Sequence, residues 1–171
     1  MKTLICYASR TGASETCARM LAKRIPGSTL CDLCKEKPDP GDHDQVIVGG
    51  GVRMGALHVD ARQYLDGCKP LLLKKRLGLF LCAGFVDKAD VLFENNIDPE
   101  LRAHAVACEC FGGEIDLGKL RGFEKLITKM ALRSFKDEDG SSAMPRLLPE
   151  RIEAFAANAS TRSGRRCGMV G

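Results

Sequence analysis

The sequence predicts an α/β domain: a parallel sheet doubly wound by helices in three layers. Two patterns predict it. Short apolar runs of strand length alternate with longer stretches whose apolar residues recur every three to four positions. The strongest runs are also apolar at consecutive positions, as strands covered on both faces must be. With 171 residues, the chain has the length of one such domain.

Thr3-Leu4-Ile5-Cys6-Tyr7-Ala8 is the first buried-strand run. Glu15 to Ile25 follows as a helix, with Cys17, Met20, Leu21 and Ile25 on one face and Pro26-Gly27 ending it. Ser28 to Leu33 reads as a weaker strand, Lys37 to Asp44 as a Pro/Asp/Gly-rich loop, and Gln45 to Gly49 as the clearest strand after the first. His58 to Cys68 carries Ala61, Tyr64, Leu65 and Cys68 at helical spacing. Leu77 to Ala83 and Ala105 to Phe111 complete five strands, with a short helix at Pro99 to Arg102 between them. Leu117 to Arg133 is a helix with Phe123, Leu126, Ile127, Met130 and Ala131 inward. Pro149 opens the last helix, with Ile152, Phe155, Ala156 and Ala159 in register. Residues 1–159 form the expected domain, and 160–171, rich in Ser, Gly and Arg, a disordered tail.

Composition narrows the function classes. At 44% hydrophobic and 28% charged residues the chain is neither disordered nor fibrous. Its net charge of +4 is too weak to imply nucleic acid. No run reaches membrane-span length, and Met1 to Tyr7 lacks the features of a signal peptide, so a cytoplasmic protein is expected. Nine cysteines, several inside apolar runs, fit free thiols in a reducing compartment.

Three strand ends have unusual composition, and in open parallel sheets ligands bind beyond the carboxyl ends of strands. Ser9-Arg10-Thr11-Gly12-Ala13-Ser14 offers hydroxyls, a glycine and the start of a helix, a set suited to a phosphate monoester. It lacks the Gly-Lys-Ser/Thr of a P-loop; an ordinary capping turn accounts for the same residues. Gly49-Gly50-Gly51-Val52-Arg53-Met54-Gly55 holds four glycines in seven residues, so its backbone can approach a flat ligand or make a tight strand-to-helix turn. Ala83-Gly84-Phe85-Val86 is a short turn after the fourth strand.

Together these segments resemble the flavodoxin-like proteins. Ser9 to Ser14 is similar to that family's phosphate loop, and residues 49–55 and 83–86 to the two loops holding the isoalloxazine ring of FMN. The resemblance implies five parallel strands in the order 2-1-3-4-5 and FMN bound by Ser9, Arg10, Thr11, Gly12, Ala13, Ser14, Gly50, Gly51, Val52, Arg53, Met54, Gly55, Ala83, Gly84, Phe85 and Val86. Within the family, Val52-Arg53-Met54-Gly55 followed by His58, and the helix segment 123–130, resemble the flavodoxin-type protoporphyrinogen oxidases. That implies an FMN-dependent oxidoreductase that oxidises protoporphyrinogen IX and passes electrons to a quinone, with Arg53 and His58 in catalytic roles. Electron-carrier flavodoxins are usually acidic and often stack the flavin on Trp. This chain is basic and has no Trp, which favours the enzyme. An electron carrier and a cofactor-free binding domain stay open as alternatives.

Smaller groupings remain. Arg121, Lys125, Lys129 and Arg133 form a basic helical stripe, read first as a solvated face and second as a peripheral contact with anionic lipid. His58, beside the glycine-rich segment, is read first as a helix cap and second as a proton relay near the flavin. Cys31-Asp32-Leu33-Cys34 and Cys108-Glu109-Cys110 do not have the spacing of a zinc knuckle, and no metal is expected.

Overall fold

The computed structural model describes residues 1–84, 86–113 and 146–161. The expected helix from Leu117 to Arg133, with its basic stripe, and the tail from residue 162 lie outside the described residues.

Five parallel strands form the sheet: β1 (Thr3–Ala8), β2 (Thr29–Asp32), β3 (Gln45–Arg53), β5 (Arg76–Cys82) and β6 (Ala107–Cys110), in the order β2-β1-β3-β5-β6. This is the expected 2-1-3-4-5 arrangement. An additional two-residue strand, β4 (Ala56–Leu57), pairs antiparallel with the end of β3. Alternation along the strands sorts the core into two layers. Leu4, Cys6, Ala8, Val46, Val48 and Leu79 face α2 (Val59–Leu72), α3 (Ala89–Asn96) and α4 (Pro99–His104). Ile5, Tyr7, Ile47, Phe80 and Cys82 face α1 (Ala13–Arg24) and α5 (Pro149–Ser160). On that second side Phe80 stacks on Phe111 at 5.1 Å, and Phe111 meets Phe155 edge-on at 5.3 Å.

The helices bury the faces their periodicity implied: Cys17, Ala18 and Leu21 in α1, Ala61, Tyr64 and Leu65 in α2, Ile152, Phe155 and Ala156 in α5. α5 runs to Ser160, one residue into the expected tail. α3 is an element that the sequence pattern did not suggest.

One correction concerns the glycine-rich segment. Gly49, Gly50 and Gly51 do not form a loop; they continue β3 to Arg53. Their small size serves packing. A Cβ at Gly49 would stand 2.4 Å from the Phe80 ring, and one at Gly50 would crowd Ala8, Ala61 and Leu57. The turn comes later, at Met54 (φ 51°) and Gly55 (φ 80°). Two consecutive left-handed residues between Arg53 and Ala56 make the tight hairpin connection whose twist matches its strands.

Candidate functional site

The carboxyl ends of β1, β3 and β5 lie side by side, with Ala8 opposite Gly50 and Gly51 opposite Cys82. The three singled-out segments therefore converge on one edge of the sheet. Ser14 is their junction. It is 1% exposed; its hydroxyl would lie 3.5 Å from a Cβ on Gly51 and hydrogen-bonds to the Cys82 thiol. That places Ser14 in the floor of the site rather than at its mouth. The hydrogen bond with Cys17, together with burial, pushes the Cys82 thiol well above its ordinary pKa, so it stays protonated.

The mouth is the start of α1. Gly12 adopts φ 98°, a conformation open to glycine and strained for other residues. Its N–H donates to Ser9 Oγ at 3.1 Å, which folds the loop back on itself, and its carbonyl accepts from Thr16 N–H at 2.9 Å as the first helical bond. A helix start leaves its first amides without intrahelical acceptors, and they point outward with the positive end of the helix dipole. Among the described residues, its chain neighbours aside, no atom lies within 4 Å of where a Cβ on Gly12 would be. Arg10 is exposed, while Thr11 and Ala13 are half-buried around this opening.

At the second segment Val52 and Arg53 are half-buried at the end of β3, and Met54 is 79% exposed at the hairpin tip. Among the described residues, its chain neighbours aside, nothing lies within 4 Å of a Cβ added at Gly55. The hairpin is held from beneath by Asn96, a residue the sequence reading passed over. Its Oδ1 accepts from Leu57 N–H at 2.7 Å, and its Nδ2 donates to the Gly55 carbonyl at 2.8 Å. At the third segment Ala83 is buried, Gly84 is half-buried, and Val86 opens a single 3₁₀ turn to Lys88. Phe85 lies outside the described residues. Gly113 packs against this turn so closely that a Cβ there would stand 2.9 Å from the backbone of Ala83 and Gly84.

His58 caps α2: its ring accepts from Asp60 N–H at 3.4 Å. Nδ1 also lies 3.4 Å from Asp60 Oδ2, and Nε2 lies 3.9 Å from Cys34 Sγ. Lys37 Nζ binds Asp60 Oδ1 at 2.8 Å, and this hydrogen bond holds the Asp60 carboxyl below its ordinary pKa. Burial pushes the Cys34 thiol up, with the charges of Asp32 and Asp60 adding to it. The eight described cysteines are free thiols. Cys31 faces the core beside Cys6, whereas Cys34 is exposed, so the two diverge.

Over residues 4–142 the sequence matches the flavodoxin domain family. The chain belongs to that family. Oxidised flavodoxin 2 from Bacillus cereus shares the fold at a TM-score of 0.53 and 19% identity, over 92% of this chain and 96% of that one. A short-chain flavodoxin associated with a non-canonical PDU bacterial microcompartment aligns at a TM-score of 0.52 and 16% identity, over 92% and 95% of the two chains. None of the curated proteins matches. Among the described residues no helix is long and apolar enough to cross a membrane.

The donor set fits the flavodoxin cofactor. An open helix start with Ser9 and Thr11 hydroxyls suits a phosphate monoester. The exposed hairpin at Met54–Gly55 lies one strand away.

Proposed function

We propose that this chain is an FMN-dependent oxidoreductase, with the FMN phosphate at the start of α1 and the ring between the β3–β4 hairpin and the turn at 83–86. The observation that carries the reading is the opening at Gly12, a helix start without a capping side chain at the carboxyl end of a central strand.

FMN, when bound, supplies electron or hydride chemistry; the chain's residues bind and orient it. Amides at the start of α1 and the hydroxyls of Ser9 and Thr11 would hold the phosphate, with Arg10 adding charge at the rim. Ala13 continues the amide row, and Ser14 fixes the floor. Backbone from Gly50 to Gly55 would line one edge of the ring, with Arg53 supplying positive charge that favours a reduced, anionic ring. Ala83 to Val86 would line another edge. His58 takes no part in this scheme, because its ring nitrogens face Asp60 and Cys34.

The finer assignment makes a porphyrinogen the electron donor and a quinone the acceptor. It is supported by the resemblance of residues 52–58 and 123–130 and by the basic net charge. Arg121, Lys125, Lys129 and Arg133 would give the peripheral membrane contact that suits quinone reduction.

The test begins with the visible spectrum of the purified protein and the mass of any released cofactor. Thr11→Val should weaken FMN about 10- to 100-fold, the value of one hydrogen bond to a charged group, and leave riboflavin within about 2-fold. No FMN binding at about 1 mM would overturn the cofactor assignment. Anaerobic porphyrinogen should bleach the flavin absorbance. If FMN binds and no bleaching follows, the substrate assignment falls and an electron carrier replaces it.

A further inference from the structure

A second cluster stands outside the loops assigned to the flavin. Cys34 follows β2, His58 caps α2, and Asp60 sits in the first turn of α2. One ligand atom from each lies within 4.8 Å of the other two. Cys34 Sγ is 3.9 Å from His58 Nε2, the nitrogen left to ligate, because Nδ1 accepts from Asp60 N–H and lies 3.4 Å from Asp60 Oδ2. Thiolate, imidazole and carboxylate are the ligand types of zinc, bound at about 2.0–2.3 Å. Ligands of a tetrahedral zinc stand about 3.3–3.7 Å apart by that geometry. Closing the cluster therefore needs shifts of about 1 Å, within reach of the exposed Cys34 side chain.

We propose that Cys34, His58 and Asp60 bind a thiophilic divalent cation of the zinc class, with solvent completing the coordination.

The surroundings are those of a supported site. Asp32 Oδ1 accepts from Cys34 N–H at 3.0 Å, which fixes the cysteine backbone. Lys37 holds Asp60 Oδ1 at 2.8 Å and leaves Oδ2 turned toward His58. Such outer contacts orient metal ligands. Ser9 O also lies 3.9 Å from Cys34 Sγ, so the cluster adjoins the first strand end. The linear order thiol, imidazole, carboxylate also occurs in nucleophilic triads, where the base must draw a proton from the thiol. Here Asp32 and Asp60 stand beside the thiol, a negative surround that suits a bound cation. Binding is balanced by that proton: Cys34–SH and M²⁺ give Cys34–S–M⁺ and H⁺. The ion would tie the segment after β2 to the start of α2.

The proposal is independent of the flavin reading. The test uses the full chain, reduced and stripped of metal with a chelator, titrated with Zn²⁺ by calorimetry and with Cd²⁺ by cadmium–thiolate absorption. One equivalent per chain is expected, with a rise in Tm. Cys34→Ser should abolish the thiolate band, and His58→Asn, which keeps a capping side chain, should weaken affinity at least about 10-fold. Cys108→Ser should change neither. Absence of stoichiometric binding, or a thiolate band surviving in Cys34→Ser, would overturn the proposal. Circular dichroism of each variant separates loss of the site from loss of the fold.

Discussion

Two helices leave the carboxyl edge of the sheet from neighbouring strands, and they begin differently. α1 starts on Gly12, a residue without a side chain and held at φ 98°. α2 starts on His58, whose ring accepts from the amide of Asp60. α4, starting on Asp98, follows the second pattern, its carboxylate accepting from Glu100 N–H at 2.9 Å and Leu101 N–H at 3.4 Å. A capping side chain satisfies helix amides internally and is worth about 1 kcal/mol. Forgoing it at α1 leaves amides free to meet an outside anion. α3 and α5 also start without a side-chain cap, on Lys88 and Leu148; the start of α1 differs from theirs in its left-handed Gly12 and its place beside Ser14, where three strand ends meet.

The contrast extends to what lies between the two starts. The α1 mouth depends on the conformation of one residue; the hairpin before α2 depends on a side chain from a distant helix. Asn96→Leu should give the largest effect in the described structure. It leaves the Leu57 amide and the Gly55 carbonyl without their partner inside a site where Asn96 is 5% exposed. Of the two groups the Leu57 amide is buried and the Gly55 carbonyl only partly so; one orphaned buried group costs about 1–3 kcal/mol, so a loss in that range in urea unfolding is expected. Flavin affinity should fall for FMN and riboflavin alike, because in the proposed arrangement the hairpin would line the ring. A selective loss of FMN would reverse the assignment of phosphate and ring ends.

Gly12→Ala should act in the opposite sense. No atom of the described residues beyond its chain neighbours stands near the added methyl, so the change brings left-handed strain, about 1–2 kcal/mol. If the strain is relieved by reshaping the loop, FMN weakens and riboflavin does not. Equal losses for both would show that Gly12 supports the fold and not the phosphate.

What the sequence made legible divides along the same line. Contiguous signals were readable: the Ser9 to Ser14 segment, the apolar face of α1, and the face of α5 through Ile152, Phe155 and Ala156. Signals that depend on distant partners were not. Gly49 to Gly51 look like loop residues until Phe80 is placed against Gly49, where a side chain would not fit. α3 buries only Phe93 and Asn96, too few for a periodic pattern. Asn96 itself carries no motif, because its meaning lies in backbone groups some forty residues away. Cys34 and His58, twenty-four residues apart, meet because the segment after β2 and the start of α2 flank the carboxyl end of β1, which lies between β2 and β3.

The cap at Asp98 should also carry a pH dependence, the smallest effect expected here. Lys69 Nζ lies 2.8 Å from Asp98 Oδ2, and this pairing, with the two capping amides, holds the Asp98 carboxyl below its ordinary pKa. A depressed carboxyl contributes stability fully above its unfolded value, near pH 4, and loses it as pH falls through the lower folded value. Asp98→Asn keeps an oxygen for the amides and removes the charge. The variant should therefore be less stable than the parent at neutral pH, and the two should converge as the solution is acidified below about pH 4. Urea midpoints across that range give the comparison. Parallel curves would mean that the Asp98 charge contributes nothing and that the cap works through hydrogen bonding alone.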